Sequence, residues 1–201
     1  MKPKNIHGIP HQKSGGFHDT ESTRKYNNNE IDAKFSILKE RLFCINKWEK
    51  YCGEASSEFR HFSKSGEPID KIPQMGDLIR IGIPGPGSKE TNRHDWVQIT
   101  NITHRKKDQY ESYLMLCRPT KIPGQHARHI AHFYSHSATS AFMIEKDGDI
   151  LKAGIYGRNE KPNFNTTFID KIRNLIIALG GIFGFSKIQW KVLAEKLLDF
   201  K

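Results

Sequence analysis

Four of the ten histidines in this 201-residue chain lie within eleven positions of one segment, GQHARHIAHFYSHS, at residues 124–137. Histidine binds metals and exchanges protons near neutral pH, so the segment could form a metal site, supply acid–base catalysis or hold ordinary strand histidines. A strand is favoured over a helix because the segment follows Pro-Gly and contains aromatic residues, and a strand separates histidines that a helix would stack. We therefore expect neither a metal nor another cofactor. The four histidines are His126, His129, His132 and His136.

The acid–base interpretation predicts a small metal-independent ribonuclease or toxin-like hydrolase. RNA cleavage of this kind needs a base for the 2′-hydroxyl, an acid for the leaving oxygen and a cation for the developing charge. His132 and His136 could exchange the protons, and Arg158 could bind the phosphate. Glu160, in the same polar stretch as Arg158, could replace one histidine. The alternative is a solvated loop at residues 157–163.

A second group of residues indicates binding to a polyanion. The formal charge is +10, from 32 Lys and Arg against 22 Asp and Glu, which attracts nucleic acid, anionic lipid or acidic proteins. Part of this charge lies in a predicted hairpin tip at residues 104–109, beside tyrosines that could stack on bases. A charged turn that protects a sheet edge is the alternative. The candidate nucleic-acid-binding residues are Arg105, Lys106, Lys107, Tyr110, Tyr113, Arg118, Lys121 and Arg128.

The elements that position these residues are mostly short strands. Alternating apolar residues predict strands at 77–83, 96–102 and 110–117, with a fourth candidate at 130–135. The clearest signal is Asp147-Gly148 between two alternating runs, which predicts a two-residue hairpin turn. In that register Ile144 pairs with Leu151 and Phe142 with Ala153, and all four share one face.

Helical patterns flank the strands. An apolar seam at intervals of four and three residues predicts a helix over 30–51, and two capping-box sequences begin helices at 167–180 and 186–200. Residues 1–29 contain few large apolar groups and predict a flexible, basic, histidine-rich tail. The seam residues of the first helix are Ile31, Phe35, Leu38, Leu42 and Ile45.

Strands grouped between helices predict a single α+β domain over residues 30–201, with its strands within 72–156. We expect a small antiparallel β-barrel or a strongly bent sheet, SH3- or OB-like, with one N-terminal helix and two C-terminal helices. The longest apolar run, 175–185, is too short to span a bilayer, and the first residues lack the apolar core of a signal peptide. These features predict a soluble, cytoplasmic protein that is not transmembrane.

Residues 76–87, 131–134 and 157–160 resemble a family of bacterial proteins of uncharacterised activity, over about 48–163. This resemblance implies no function. Three hypotheses follow from the residues themselves. The first is a non-enzymatic intracellular module that binds a polyanion, with nucleic acid as the leading candidate. The others are the ribonuclease described above and a protein-interaction or assembly component that uses the seam of helix 31–45.

Overall fold

The fold is a seven-stranded antiparallel sheet with helices on one face. The computed structural model describes residues 2–52, 57–82, 94–124, 130, 132, 134–163 and 182–200. The strands are β1 (Gly16–Lys25), β2 (Glu58–Phe62), β3 (Leu78–Gly82), β4 (His94–Lys107), β5 (Tyr110–Pro119), β6 (Thr139–Asp147) and β7 (Ile150–Glu160). The helices in these ranges are α1 (Asn28–Phe43), α2 (Trp48–Cys52) and α3 (Ile182–Leu197), with a 3₁₀ turn at Ile45–Lys47.

The strand order is β1-β7-β6-β5-β4-β3-β2, and every neighbouring pair is antiparallel. This arrangement confirms the predicted α+β class and the antiparallel sheet. The prediction of a barrel is corrected, because β1 and β2 form the two edges of the sheet and do not pair with each other. The sheet is therefore curled but open. None of the described helices combines the length and apolarity needed to cross a membrane.

One face of the sheet, which we call the inner face, packs against the helices. Leu38 and Leu42 of α1 and Trp48 of α2 are fully buried there, beside Met115 and Ile144 of the central strands. The Trp48 ring lies 5.3 Å from that of Phe59 and donates its Nε1 hydrogen to backbone carbonyls at the end of α1. These hydrogen bonds allow the large Trp48 ring to fill the core without leaving its N–H donor unpaired.

The seam of α1 is buried in this core. Ile31, Phe35, Leu38 and Leu42 are at most 6% exposed, and Ile45 of the following 3₁₀ turn is 1% exposed. The predicted helix over 30–51 is also interrupted, since α1 ends at Phe43 before the 3₁₀ turn and α2. The seam of helix 31–45 thus packs against the protein's own sheet. A protein partner of this helix stays a prediction.

The β6–β7 hairpin has the predicted face but a different register. Ile144 pairs with Ala153 and Phe142 with Ile155, two residues further along β7 than predicted. The turn residues are Gly148 and Asp149, and Gly148 supplies the positive φ of 55°. Because the displacement is an even number of residues, the apolar side chains stay on the inner face.

The N-terminal residues contain more structure than predicted. Residues 16–25, assigned above to a flexible tail, form edge strand β1 along β7. Residues 4–14, which we call the strap, cross the face of the sheet opposite the helices, the outer face. Ile9 of the strap is buried there against Leu114, Leu116 and Met143. At Gly8, φ is +85°, and a Cβ atom would lie 2.7 Å from the Leu114 side chain.

Several predicted boundaries differ from the structure. Short strand β2 was not predicted, and β4 extends to Lys107. The predicted strand at 130–135 is absent at its described positions, where only an isolated bridge joins Tyr134 to Pro162. The helix predicted at 167–180 lies outside the described residues, and the last helix is Ile182–Leu197 instead of 186–200.

We expect Leu38→Ala to lower the free energy of unfolding by about 2–5 kcal/mol, because the substitution leaves a cavity in a fully buried site. Ile37→Ala is the matched control on the same helix, since Ile37 is 42% exposed and its loss should change stability by less than about 0.5 kcal/mol. Urea denaturation of both variants measures the difference. Equal losses would contradict the packing of α1 described above.

Candidate functional site

A buried polar cluster lies where β7 ends and β1 begins. His18 and Glu160 are each 3% exposed at the side chain, and His18 Nδ1 lies 2.9 Å from Glu160 Oε1. In the neutral tautomer whose Nδ1 donates to the carboxylate, Nε2 carries the lone pair and can only accept a hydrogen bond. Nε2 is buried without a hydrogen-bond partner in the described part of the chain. The pair resembles in chemistry a base oriented by a carboxylate.

Gly157 provides the space for this pair. The two side chains lie over its backbone, so that a Cβ atom there would stand 2.1 Å from Glu160 Oε1 and 2.3 Å from His18 Nδ1. No ordinary side chain fits at such distances. Glu160 was predicted as a site residue, whereas His18 was not, because it lies in the segment assigned to a flexible tail.

Arg158 points to the outer face and forms a second buried pair. Its Nη2 lies 2.6 Å from Asp19 Oδ1, with side chains 1% and 6% exposed. The guanidinium also donates to the backbone oxygens of Lys4, His18 and Gly157 at 2.8–3.1 Å. These contacts join β7, β1 and the strap. The group predicted to bind a phosphate therefore already has an anionic partner and three carbonyl acceptors.

His132 is the third buried member at this end of the sheet. Its Nδ1 accepts a hydrogen bond of 2.9 Å from the Tyr134 amide, and its Nε2 lies 3.7 Å from Asp95 Oδ2. Burial lowers the pKa of His132 from the ordinary 6.5 to about 3. The imidazole is therefore neutral at physiological pH and would be protonated only in acid.

The four predicted catalytic residues are in different environments. His132, Arg158 and Glu160 are buried, whereas His136 is exposed in a turn. Within the described residues, Glu160 is the member of this set that pairs with a histidine side chain, and that histidine is His18. His126 and His129 lie outside the described residues. Among the residues that the structure describes, no three His, Cys, Asp or Glu side chains are grouped to hold a metal ion.

At the opposite end of the sheet, the basic tip of the β4–β5 hairpin divides between the two faces. Lys106 points to the inner side, where its Nζ lies 3.4 Å from Glu111 Oε2. Burial alone would raise the pKa of Glu111, but hydrogen bonds from His104 and Lys106 lower it, so the carboxylate neutralises this lysine. Alternation along β4 places Arg105 and Lys107 on the outer face. Both are exposed.

The inner side of the tip is unsuited to a polyanion. A groove of about 920 Å³ lies there between α1 and the hairpin turns. Acidic and basic side chains are mixed along it, and its described lining includes more carboxylates than lysines. The charged lining residues are Lys39, Lys106, Lys146, Asp32, Asp108, Glu111 and Asp149.

The two tyrosines that were predicted to stack on bases also lie on opposite faces of the sheet. Tyr113 is 9% exposed and packs in the core against Phe35 and Phe43, so it is not accessible to a base. Tyr110 is half-buried, lies opposite Lys107 and donates its hydroxyl hydrogen to Glu145 Oε1.

The remaining predicted cations lie further along the sheet. Arg118 and Lys121 are exposed. Arg118 lies on the outer face, since it follows buried Cys117 of the inner face. Arg128 lies outside the described residues.

Comparisons with known proteins show only a distant structural similarity. No family profile matches the chain, and no curated protein sequence matches it significantly. Among solved structures it is similar to norcoclaurine synthase from Thalictrum flavum. For the truncated enzyme the TM-score is 0.38 with 11% identity, over 96% of this chain and 100% of that chain. For another structure of the enzyme the values are 0.37 and 10%, over 98% and 99%. Scores this low support no conclusion about activity.

We expect the stability of the protein to fall as the pH drops from about 6.5 towards 3, because the unfolded state binds a proton at His132 that the folded state rejects. This one group contributes a slope of up to about 1.4 kcal/mol per pH unit in that window and none above it. Urea denaturation at pH 7 and pH 5 measures the slope in the wild type and in His132→Gln. An identical slope in both proteins would contradict the assignment.

Gly157→Ala should lower the free energy of unfolding by about 1–3 kcal/mol through overpacking against the His18–Glu160 pair. The same substitution in a His18→Ala background should cost less, because the ring that it strikes is gone. A double-mutant cycle measured by urea denaturation separates the two effects. Additive losses would mean that the clash with His18 does not occur.

Proposed function

We propose that this protein is a cytoplasmic, non-enzymatic module that binds nucleic acid on the outer face of its sheet. The observation that carries the proposal is a set of three exposed cations on one face of the β4–β5 hairpin. Arg105, Lys107 and Arg118 have no ion-pair partner among the described residues, and each has been assigned to the outer face by strand alternation. Cations of this kind contact phosphates and release counterions.

The acids of the outer face leave these cations unopposed, with one exception. Asp19 pairs with Arg158, Glu21 with Lys4, and Glu145 with Lys152. Asp108 and Asp147 are exposed acids at the tip that have no ion pair in the described part of the chain. Asp108 lines the inner groove, so Asp147 is the exception on the outer face. The local balance of unpaired charge therefore favours an anion on this face.

Tyr110 adds a second element of recognition. It lies opposite Lys107 on the outer face, and the hydrogen bond from its hydroxyl to Glu145 fixes the orientation of its ring. An oriented, half-exposed aromatic ring next to cations is the arrangement with which proteins stack single-stranded bases.

The buried pairs favour binding over cleavage. A ribonuclease needs its cation free to meet the phosphate, and Arg158 is fully engaged by Asp19 and three carbonyl groups. His132 is buried and neutral, so it does not exchange protons near pH 7. For this reason we expect RNA to be recovered intact after incubation with the protein.

Fluorescence anisotropy with a labelled 12-nucleotide RNA and the corresponding DNA tests the proposal. Binding should weaken steeply with salt, and the combined Arg105→Ala, Lys107→Ala and Arg118→Ala variant should reduce the slope of log K against log salt by about 2–3. The control removes the same charge from the helical layer, with Lys47→Ala, Lys50→Ala and Lys191→Ala. Equal effects of the two triple variants, or a flat salt response in the wild type, would refute the proposal.

A further inference from the structure

The strap separates the two groups of cations on the outer face. Ser112, the cross-strand partner of Arg105, lies six residues before Arg118 on β5. At about 3.4 Å per residue, Arg105 and Arg118 are therefore roughly 20 Å apart along the strand. Leu114 and Leu116 lie between them, and these are the residues that Ile9 of the strap covers. A ligand that touches both cations follows β4 and β5 past the strap.

The strap is rigidly placed at its first residues. The backbone amide of Lys4 donates to Asp19 Oδ2 at 2.8 Å, and its carbonyl accepts from Arg158 Nη2 at 2.8 Å. Both partners are themselves joined in the buried ion pair. The start of the strap is thus tied to the same network that joins β1 to β7.

The end of the strap is held by Asn159, which adopts a positive φ of 56°. Its Oδ1 accepts the amide hydrogens of Lys13 and Ser14 at 2.7 and 3.2 Å, and its Nδ2 donates to the His11 carbonyl at 3.2 Å. Asparagine tolerates this backbone region better than other non-glycine residues, and its amide mimics a peptide group. The conformation turns the side chain towards the strap.

Between these anchors the strap makes a tight turn over β5. The Ile9 amide donates to the Ile6 carbonyl at 3.1 Å, which brings His7 and Gly8 to the tip of the turn above Leu114. Ile9 points down into the apolar patch and His7 points to solvent. Lys13, at the Asn159 end, is also exposed. The strap therefore presents basic groups to solvent on the face that carries Arg105 and Arg118.

We propose that the strap completes the binding surface, so that a single-stranded nucleic acid runs from Tyr110 and Lys107 across His7 to Arg118. The inference rests on the proposed function and adds the form of the ligand and its path. A single strand fits because the described residues of this face form a sheet surface crossed by the strap turn, and none of the described helices lies on it to enter a duplex groove. At 3.4 Å per stacked nucleotide, roughly 20 Å corresponds to about six nucleotides.

Charge reversal on the strap tests the path. His7→Glu with Lys13→Glu should weaken binding of a 12-nucleotide oligouridine on the order of tenfold, since both positions would then repel phosphates. The measurement is made at 0.15 M salt, where the Debye length is about 8 Å and distant charges are screened. The control, Ala33→Glu with Lys50→Glu, makes a matched change of charge in the helical layer. Thermal melting of each variant confirms that it is folded.

Two further ligands test the form of the nucleic acid. Affinity should rise steeply between a 4-nucleotide and an 8-nucleotide oligouridine, because only the longer one reaches both cation groups. A 12-base-pair duplex should bind more weakly than the single strand. Equal affinity of the short and long oligomers, or tighter binding of the duplex, would overturn the inference.

The outcomes separate the two proposals. If the strap variant binds like the wild type while the triple variant of Arg105, Lys107 and Arg118 loses binding, the strap is not part of the surface and the proposed function stands. If the wild type binds none of the oligonucleotides, the proposed function fails and this inference fails with it.

Discussion

The buried guanidinium of Arg158 is the interaction on which the outer face depends. A charged group that is 1% exposed must have its hydrogen bonds satisfied inside the protein, and Arg158 achieves this with Asp19 and three backbone carbonyls. Those acceptors belong to β7, to β1 and to the strap. Satisfying one side chain therefore fixes an edge strand and the N-terminal segment together. The same contacts make Arg158 a structural residue, although its charge alone suggested that it binds a phosphate.

The two faces of the sheet have separate physical roles. The inner face is apolar and is covered by α1, α2 and α3, which makes it the source of most hydrophobic stabilisation. The outer face has a smaller apolar patch that the strap covers, and beside it exposed cations without partners among the described residues. The proposed binding uses the outer face, where cations are exposed, and the His18–Glu160 pair lies at the end of the sheet away from the tip.

Part of the candidate site was visible in the sequence, because strand alternation and local charge are local properties. The basic tip and the two strands beside it follow from the sequence pattern. The position of Arg105 and Lys107 on one face does not, because the sequence predicts a loop at 104–109 and β4 extends to Lys107. The division between Tyr110 and Tyr113 depends on which face meets α1, and this is decided by packing between distant segments. His18 was missed for a similar reason, since its partner Glu160 is 142 residues away.

By itself the sequence determined the α+β class, the antiparallel strands, the buried seam of α1 and the faces of the β6–β7 hairpin. Each of these follows from the spacing of apolar residues within short segments. Only the tertiary structure decided that the sheet is open, that residues 16–25 are a strand and that residues 4–14 lie on the outer face. These segments have weak local patterns. They are held by Arg158, Asn159 and the Leu114 patch, which are far away along the chain and near only after folding.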